Sequence, residues 1–260
     1  MQSQPQRNEK PRPTALFSAI FWGKPTTRTL TYAPWGNFDE TNSSKVRLRV
    51  GSSALSQTCA FYGNNKIDLR QQRNYTDLEI DLMEDKTEAS EMHSFAEFEF
   101  SSQEGEVQQF ILIFTPGKEG DSYQTFSIPF GEEVVPWGSF KLISQLKETL
   151  YLAVGDKKAT LSSGKSQIFH SRDFPGQSKV RMIGYRLMNG KYKEATAQNF
   201  HLSDKQRGIY FLTTRRKLVN VVPMVERFRP LERILGYGTP PFKIVSERAK
   251  LPQPSSVVVP

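Results

Sequence analysis

The chain is poor in the residues that most often carry chemistry. Its 260 residues include one cysteine, Cys59, and three histidines, His93, His170 and His201. A lone cysteine excludes an intrachain disulfide and any multi-cysteine metal site. Cys59 lies in the apolar run Cys59-Ala60-Phe61-Tyr62 with no local cation to lower its pKa, so it reads as a small buried hydrophobe. No two histidines stand at metal-ligand spacing, and no cofactor is implied. Long apolar runs are missing too. Ala15 to Trp22 falls far short of the roughly 20 residues a membrane-crossing helix needs. It follows Arg7, Lys10 and Arg12 and so imitates a signal peptide, but Pro11 and Pro13 interrupt it and no clean small-x-small site follows. The reading is a polar leader, Met1 to Thr14, running into an ordered apolar segment. Helical periodicity is scarce, and only Phe228 to Leu235 suits one short helix.

Aromatic residues and alternation are plentiful. Eighteen phenylalanines favour strands, where flat rings pack across a pleated surface. Lys45 to Val50 alternates, with Val46, Leu48 and Val50 on one face and cations on the other. Tyr75 to Leu82 and Phe95 to Phe100 follow the same pattern, which puts Glu97 and Glu99 on a solvated face. Phe110-Ile111-Leu112-Ile113-Phe114 reads as a strand buried on both faces and stops at Pro116-Gly117. Later strands are expected at Phe140–Ile143, Thr149–Val154, Val180–Met188, Gly208–Thr213 and Leu218–Val225. Asn189-Gly190 is the strongest hairpin signal, because both turn positions tolerate positive φ.

These signals specify an all-β chain of two successive antiparallel β-sandwich domains. Residues 1–27 form a partly flexible leader, 28–132 and 133–235 the two sandwiches, and 236–260 a Pro-rich extended tail. An internal echo supports the duplication: Pro34-Trp35-Gly36-Asn37-Phe38 against Pro136-Trp137-Gly138-Ser139-Phe140. Each precedes a strand ending in Val-Gly, Leu48 to Gly51 and Leu152 to Gly155. The boundary is expected near Phe130 to Pro136.

The second half resembles a domain that recurs in uncharacterised bacterial proteins, often ones predicted to be exported. The matching stretches are Gly138 to Ile143, Leu152-Ala153-Val154-Gly155-Asp156, Leu161-Ser162-Ser163-Gly164, Val180-Arg181-Met182, a hairpin, and Arg207 to Thr213. The resemblance covers roughly 135–225. It implies an immunoglobulin-like or transthyretin-like sandwich and carries no catalytic residues. The lack of a clear signal peptide departs from that pattern.

Candidate chemistry is sparse. Ala159-Thr160-Leu161-Ser162-Ser163-Gly164-Lys165-Ser166 imitates a phosphate loop, but neither the strand–loop–helix context nor the first glycine is present. Ser163-Gly164-Lys165 is read instead as a hairpin turn. His170 near Asp173 and His201 near Asp204, with Ser171 or Ser203, invite a triad, but near neighbours on a strand point apart. The formal net charge is +8, and its most concentrated part runs from Arg207 to Arg233. There Arg207, Arg215, Arg216 and Lys217 surround Tyr210, and aromatics among cations bind anionic polymers. These five are the candidate ligand-binding residues. The expected function is a non-enzymatic structural or binding module, with an unknown protein or an anionic surface as partner. A hydrolase acting on an anionic polymer at the domain junction is the alternative, and nucleic-acid binding through 207–233 ranks third.

Overall fold

Period-two alternation makes the outer strands of this protein, and strands without it make the centre. The computed structural model describes residues 11–39, 43–72, 92–101, 105–118, 122–215 and 218–241. The strand expected at Tyr75 to Leu82 lies outside them. Among the described residues are sixteen strands: β1 (Ala15–Phe21), β2 (Thr27–Tyr32), β3 (Val46–Gly51), β4 (Cys59–Phe61), β5 (Lys66–Gln72), β6 (Met92–Glu99), β7 (Gln108–Pro116), β8 (Tyr123–Pro129), β9 (Ser139–Ser144), β10 (Leu150–Val154), β11 (Lys157–Leu161), β12 (Ser166–His170), β13 (Lys179–Met188), β14 (Lys191–His201), β15 (Gln206–Arg215) and β16 (Leu218–Arg227).

They form four sheets, ordered β3-β2-β5-β6, β4-β1-β7-β8, β12-β9-β15-β16 and β11-β10-β13-β14. Adding eight to each strand number of the first unit reproduces the second, so the protein is a tandem of two β-sandwiches with one topology. Sheets β4-β1-β7-β8 and β12-β9-β15-β16 are mixed, because β1 runs parallel to β7 and β9 parallel to β15, and the other two are purely antiparallel. The register irregularity between Leu69 and Arg70 in β5 recurs between Gly184 and Tyr185 in β13.

Three apolar layers hold the four sheets in a stack. Phe17, Phe114, Leu30 and Leu69 fill the first sandwich, and Phe140, Leu152, Met182 and Leu212 the second. Between the units, Ile20, Ile111 and Ile113 of one inner sheet meet Ile209, Phe211 and Met224 of the other. Each such side chain stabilises the joint by roughly 2 kcal/mol, so it is a core rather than a hinge. β7 and β15 are therefore buried on both faces, as the unbroken apolar run at Phe110–Phe114 requires. The Asn189-Gly190 turn is as expected, with φ of 51° and 73° joining β13 to β14.

Several expectations need correction. Ala15–Phe21 is a central strand of the first sandwich and not part of a leader; burial on both faces gave it the uninterrupted apolar character of a targeting segment. The Pro-Trp-Gly echo does not mark the duplication. Its first copy follows β2, whereas its second leads into β9, the counterpart of β1. The Val-Gly endings differ likewise, one closing β3 and the other β10. Ser163-Gly164-Lys165 joins β11 to β12, which sit in opposite sheets, so it is an arch and not a hairpin. A single 3-10 turn, Leu231–Arg233, stands where a short helix was expected. The start of the tail straps the first unit: Leu235 bridges Cys59, Trp35 Nε1 donates to the Thr239 carbonyl, and the Gly238 amide donates to Tyr62 Oη.

Candidate binding face

The basic segment does not form one surface. β15 is a central strand, so its cations fall only at its two ends, about 27 Å apart at the rise of an extended strand. Arg207, at one end, is 4% exposed. Its Nε donates to Glu226 Oε2 at 2.8 Å, one Nη to Gln109 Oε1 at 2.9 Å and the other to the Val135 carbonyl at 3.4 Å. The guanidinium also lies 4.5 Å from the Phe130 ring centre and 4.4 Å from that of Trp137. Arg207 is thus a rivet between the two units. Tyr210 is buried in the second core, where burial lifts its hydroxyl to about 12. Neither presents a side chain to a polymer. Arg215 is exposed at the other end, and Arg216 and Lys217 lie outside the described residues. The neighbours that neutralise and cover Arg207 come from distant segments, which is why local spacing pointed to a surface.

The junction holds a cavity of about 170 Å³ beside Arg207, Trp137 and Phe228. Its Glu226 accepts from Thr58 Oγ1 at 2.6 Å and from Arg207, so both carboxylate oxygens are committed to structure. Neither His170 nor His201 lines it. The Ser171 hydroxyl donates to Asp204 at 2.7 Å and the His170 backbone amide to Asp173 at 2.9 Å, so no imidazole links serine to acid in these bonds. Among the described residues no three His, Cys, Asp or Glu side chains gather as a metal site. Cys59 is buried, and burial raises its thiol. Glu97 sits in solvent, paired with Lys66 at 2.8 Å.

A different surface has the features of a binding site. In sheet β11-β10-β13-β14, Leu150, Leu152, Val154 and Met182 point into the core, so their alternates point outward. Strand register then sets Thr160, Tyr151, Tyr185 and Glu194 side by side across the sheet. Tyr192, opposite Leu187, extends the aromatic group, and its ring meets Tyr151 edge-to-face with centres 5.0 Å apart. Tyr192 is 62% exposed and Leu187 53%. An open cleft of about 630 Å³ runs over the three tyrosines, Ala153, Lys158 and Thr160. The Lys158 side chain makes no hydrogen bond or ion pair with any described residue.

The equivalent face of the first unit is covered at its Arg70–Lys45 end, while a polar cleft of about 680 Å³ stays open beside it over Thr29, Thr31, Arg47 and Gln71. Register makes Thr31 the counterpart of Tyr151, Arg47 of Thr160 and Arg70 of Tyr185, and Lys45, just before β3, stands two residues from Arg47 as Lys158 stands two from Thr160. There the residues that follow β2, 33–39, turn back over the sheet. Among them Phe38 is 4% exposed, with the Arg70 guanidinium 4.2 Å and the Lys45 ammonium 4.7 Å from its ring centre. Asp39 binds Arg70 at 2.6 Å, and that bond holds its carboxyl below the usual range. Outward-facing Thr31, between Arg47 and Arg70, is 5% exposed. In the second unit the connection from β10 to β11 is the tight turn Gly155-Asp156, with Gly155 at φ 58°, and nothing from it covers the tyrosines.

Sequence reasoning missed these tyrosines because they are dispersed along the chain and only register unites them. The available signal was their outward parity: Tyr151 alternates with Leu150 and Leu152, and Tyr185, Leu187 and Tyr192 flank the Asn189-Gly190 turn. Among the described residues no helix is long and apolar enough to cross a membrane. No protein-family model matches the chain, and no curated protein matches it.

Proposed function

We propose that the chain is a non-enzymatic binding module whose recognition surface is the outer face of sheet β11-β10-β13-β14. One observation carries this reading. The same face exists twice in the molecule: in the first unit Phe38 covers the Arg70–Lys45 part and the cleft left beside it is polar, whereas in the second the face is open over three tyrosines. Tyrosine supplies large, stiff contact area with a polar tip, which suits a surface that meets both water and a partner. The immunoglobulin-like or transthyretin-like character of residues 135–225, and a place in a bacterial envelope or larger assembly, belong to the same proposal through the resemblance of that stretch. The committed state of Glu226 argues against the hydrolase reading, and the separation of Arg207 from Arg215 against binding through 207–233.

The test is a binding screen of the full chain against oligosaccharides, single-stranded DNA, anionic vesicles and arrayed peptides. Binding should vanish in the double variant Tyr151→Ala/Tyr192→Ala and persist in Arg215→Ala. Loss in Arg215→Ala with retention in the tyrosine variant would move the surface to the β15–β16 turn. Cleavage of any polymer in the panel would overturn the non-enzymatic reading.

A further inference from the structure

The first unit shows what kind of group covers this face. Phe38 lies between Arg70 and Lys45, and those positions correspond to Tyr185 and Lys158, which line the open cleft of the second unit. The cleft therefore occupies the place that an aromatic side chain fills in its twin. The neighbours left there suit the same guest. Tyr151 and Tyr185 offer ring edges and faces, and the Lys158 ammonium is set for a cation–π contact like that of Lys45. In the first unit the ring is followed by an acid, Asp39, held by Arg70. The second unit has lost that arginine but keeps the lysine, which has no described partner.

We infer that the outer cleft of the second unit receives an aromatic side chain from an extended segment of a partner polypeptide, with an acidic residue beside the ring. This rests on the open-face reading and names its ligand. The ring enters between Tyr185 and Lys158, the acid pairs with Lys158, and the exposed tyrosine hydroxyls hydrogen-bond the partner's backbone. Glu194, in the same row as Tyr185, disfavours a polyanion running over the tyrosines.

The probe is an acetylated and amidated synthetic peptide with the sequence of Gly36 to Asp39, titrated into isotope-labelled full-length protein and followed by NMR. Saturable shifts are expected at Tyr151, Ala153, Lys158 and Tyr185. A peptide with alanine for the phenylalanine should bind at least about ten-fold more weakly, the loss of one buried aromatic contact. A peptide with lysine for the aspartate should also bind more weakly, and Lys158→Ala should erase that difference while keeping the preference for phenylalanine. Equal shifts from the alanine peptide, or shifts centred on Arg70, overturn the inference. A neutral oligosaccharide and an oligothymidylate are titrated in parallel. If either shifts the tyrosines while the peptide is silent, the peptide inference falls and the open-face reading stands. If no probe, including the screening hits, perturbs the face, both fall.

Discussion

The two outer sheets of this molecule share a strand order, an irregularity in the same place and a residue-for-residue register, yet one is part-covered and polar and the other open and aromatic. The difference traces to one connection. Between β2 and β3 the chain spends a long loop that brings Phe38 and Asp39 back onto Arg70, whereas between β10 and β11 it turns at once through Gly155-Asp156. The sheet residues have changed with it. Arg70 and Thr31, which suit an internal cover, are replaced by Tyr185 and Tyr151, which suit an external one. A duplicated sandwich thus covers part of one copy of the face and leaves the other open, with the inner sheets fused by a shared apolar layer.

The comparison requires a rigid joint, and breaking the joint should have the largest effect. Arg207→Ala strips Glu226 of its buried partner and should cost about 3–5 kcal/mol, read as a fall in the denaturation midpoint. Removing the internal cover comes next. Phe38→Ala should cost about 3 kcal/mol, because it empties a buried aromatic site. Its counterpart on the open face, Tyr192→Ala, should stay within about 0.5 kcal/mol of the parent in the same melt. A comparable loss for Tyr192→Ala would mean that the two faces are alike after all. The smallest effect concerns Asp39. Its carboxyl is lowered in the folded protein by the Arg70 hydrogen bond, so its contribution is present above the ordinary carboxylate range and disappears as pH falls through the lowered value. Asp39→Asn should therefore melt slightly below the parent at neutral pH, and the two curves should converge in acid.

Much of the frame was legible in the residues. Alternation at Lys45–Val50, the unbroken apolar run at Phe110–Phe114 and the Asn189-Gly190 turn are local signals, and each has its structural counterpart in β3, β7 and the β13–β14 hairpin. Cys59 was legible for the same reason, since its neighbours are apolar. β1 was harder, because a strand buried on both faces lacks the period that identifies strands. The parallel pairings of β1 with β7 and of β9 with β15 join segments that local pattern does not connect. The proposed binding surface was the least legible. Arg207 looks like a surface cation until Glu226, Gln109, Phe130 and Trp137 arrive from elsewhere in the chain. Tyr151, Tyr185 and Tyr192 look like ordinary strand residues until register places them together on a face that no described residue covers.

The most direct measurement is hydroxyl-radical footprinting of the purified full chain, with oxidation rates read residue by residue. Tyr192 should be modified rapidly and Tyr151 and Tyr185 at intermediate rates, with Phe38 and Tyr210 strongly protected. Protection of Tyr151, Tyr185 and Tyr192 to the level of Tyr210 would show the second face covered in the free protein and would contradict the central claim.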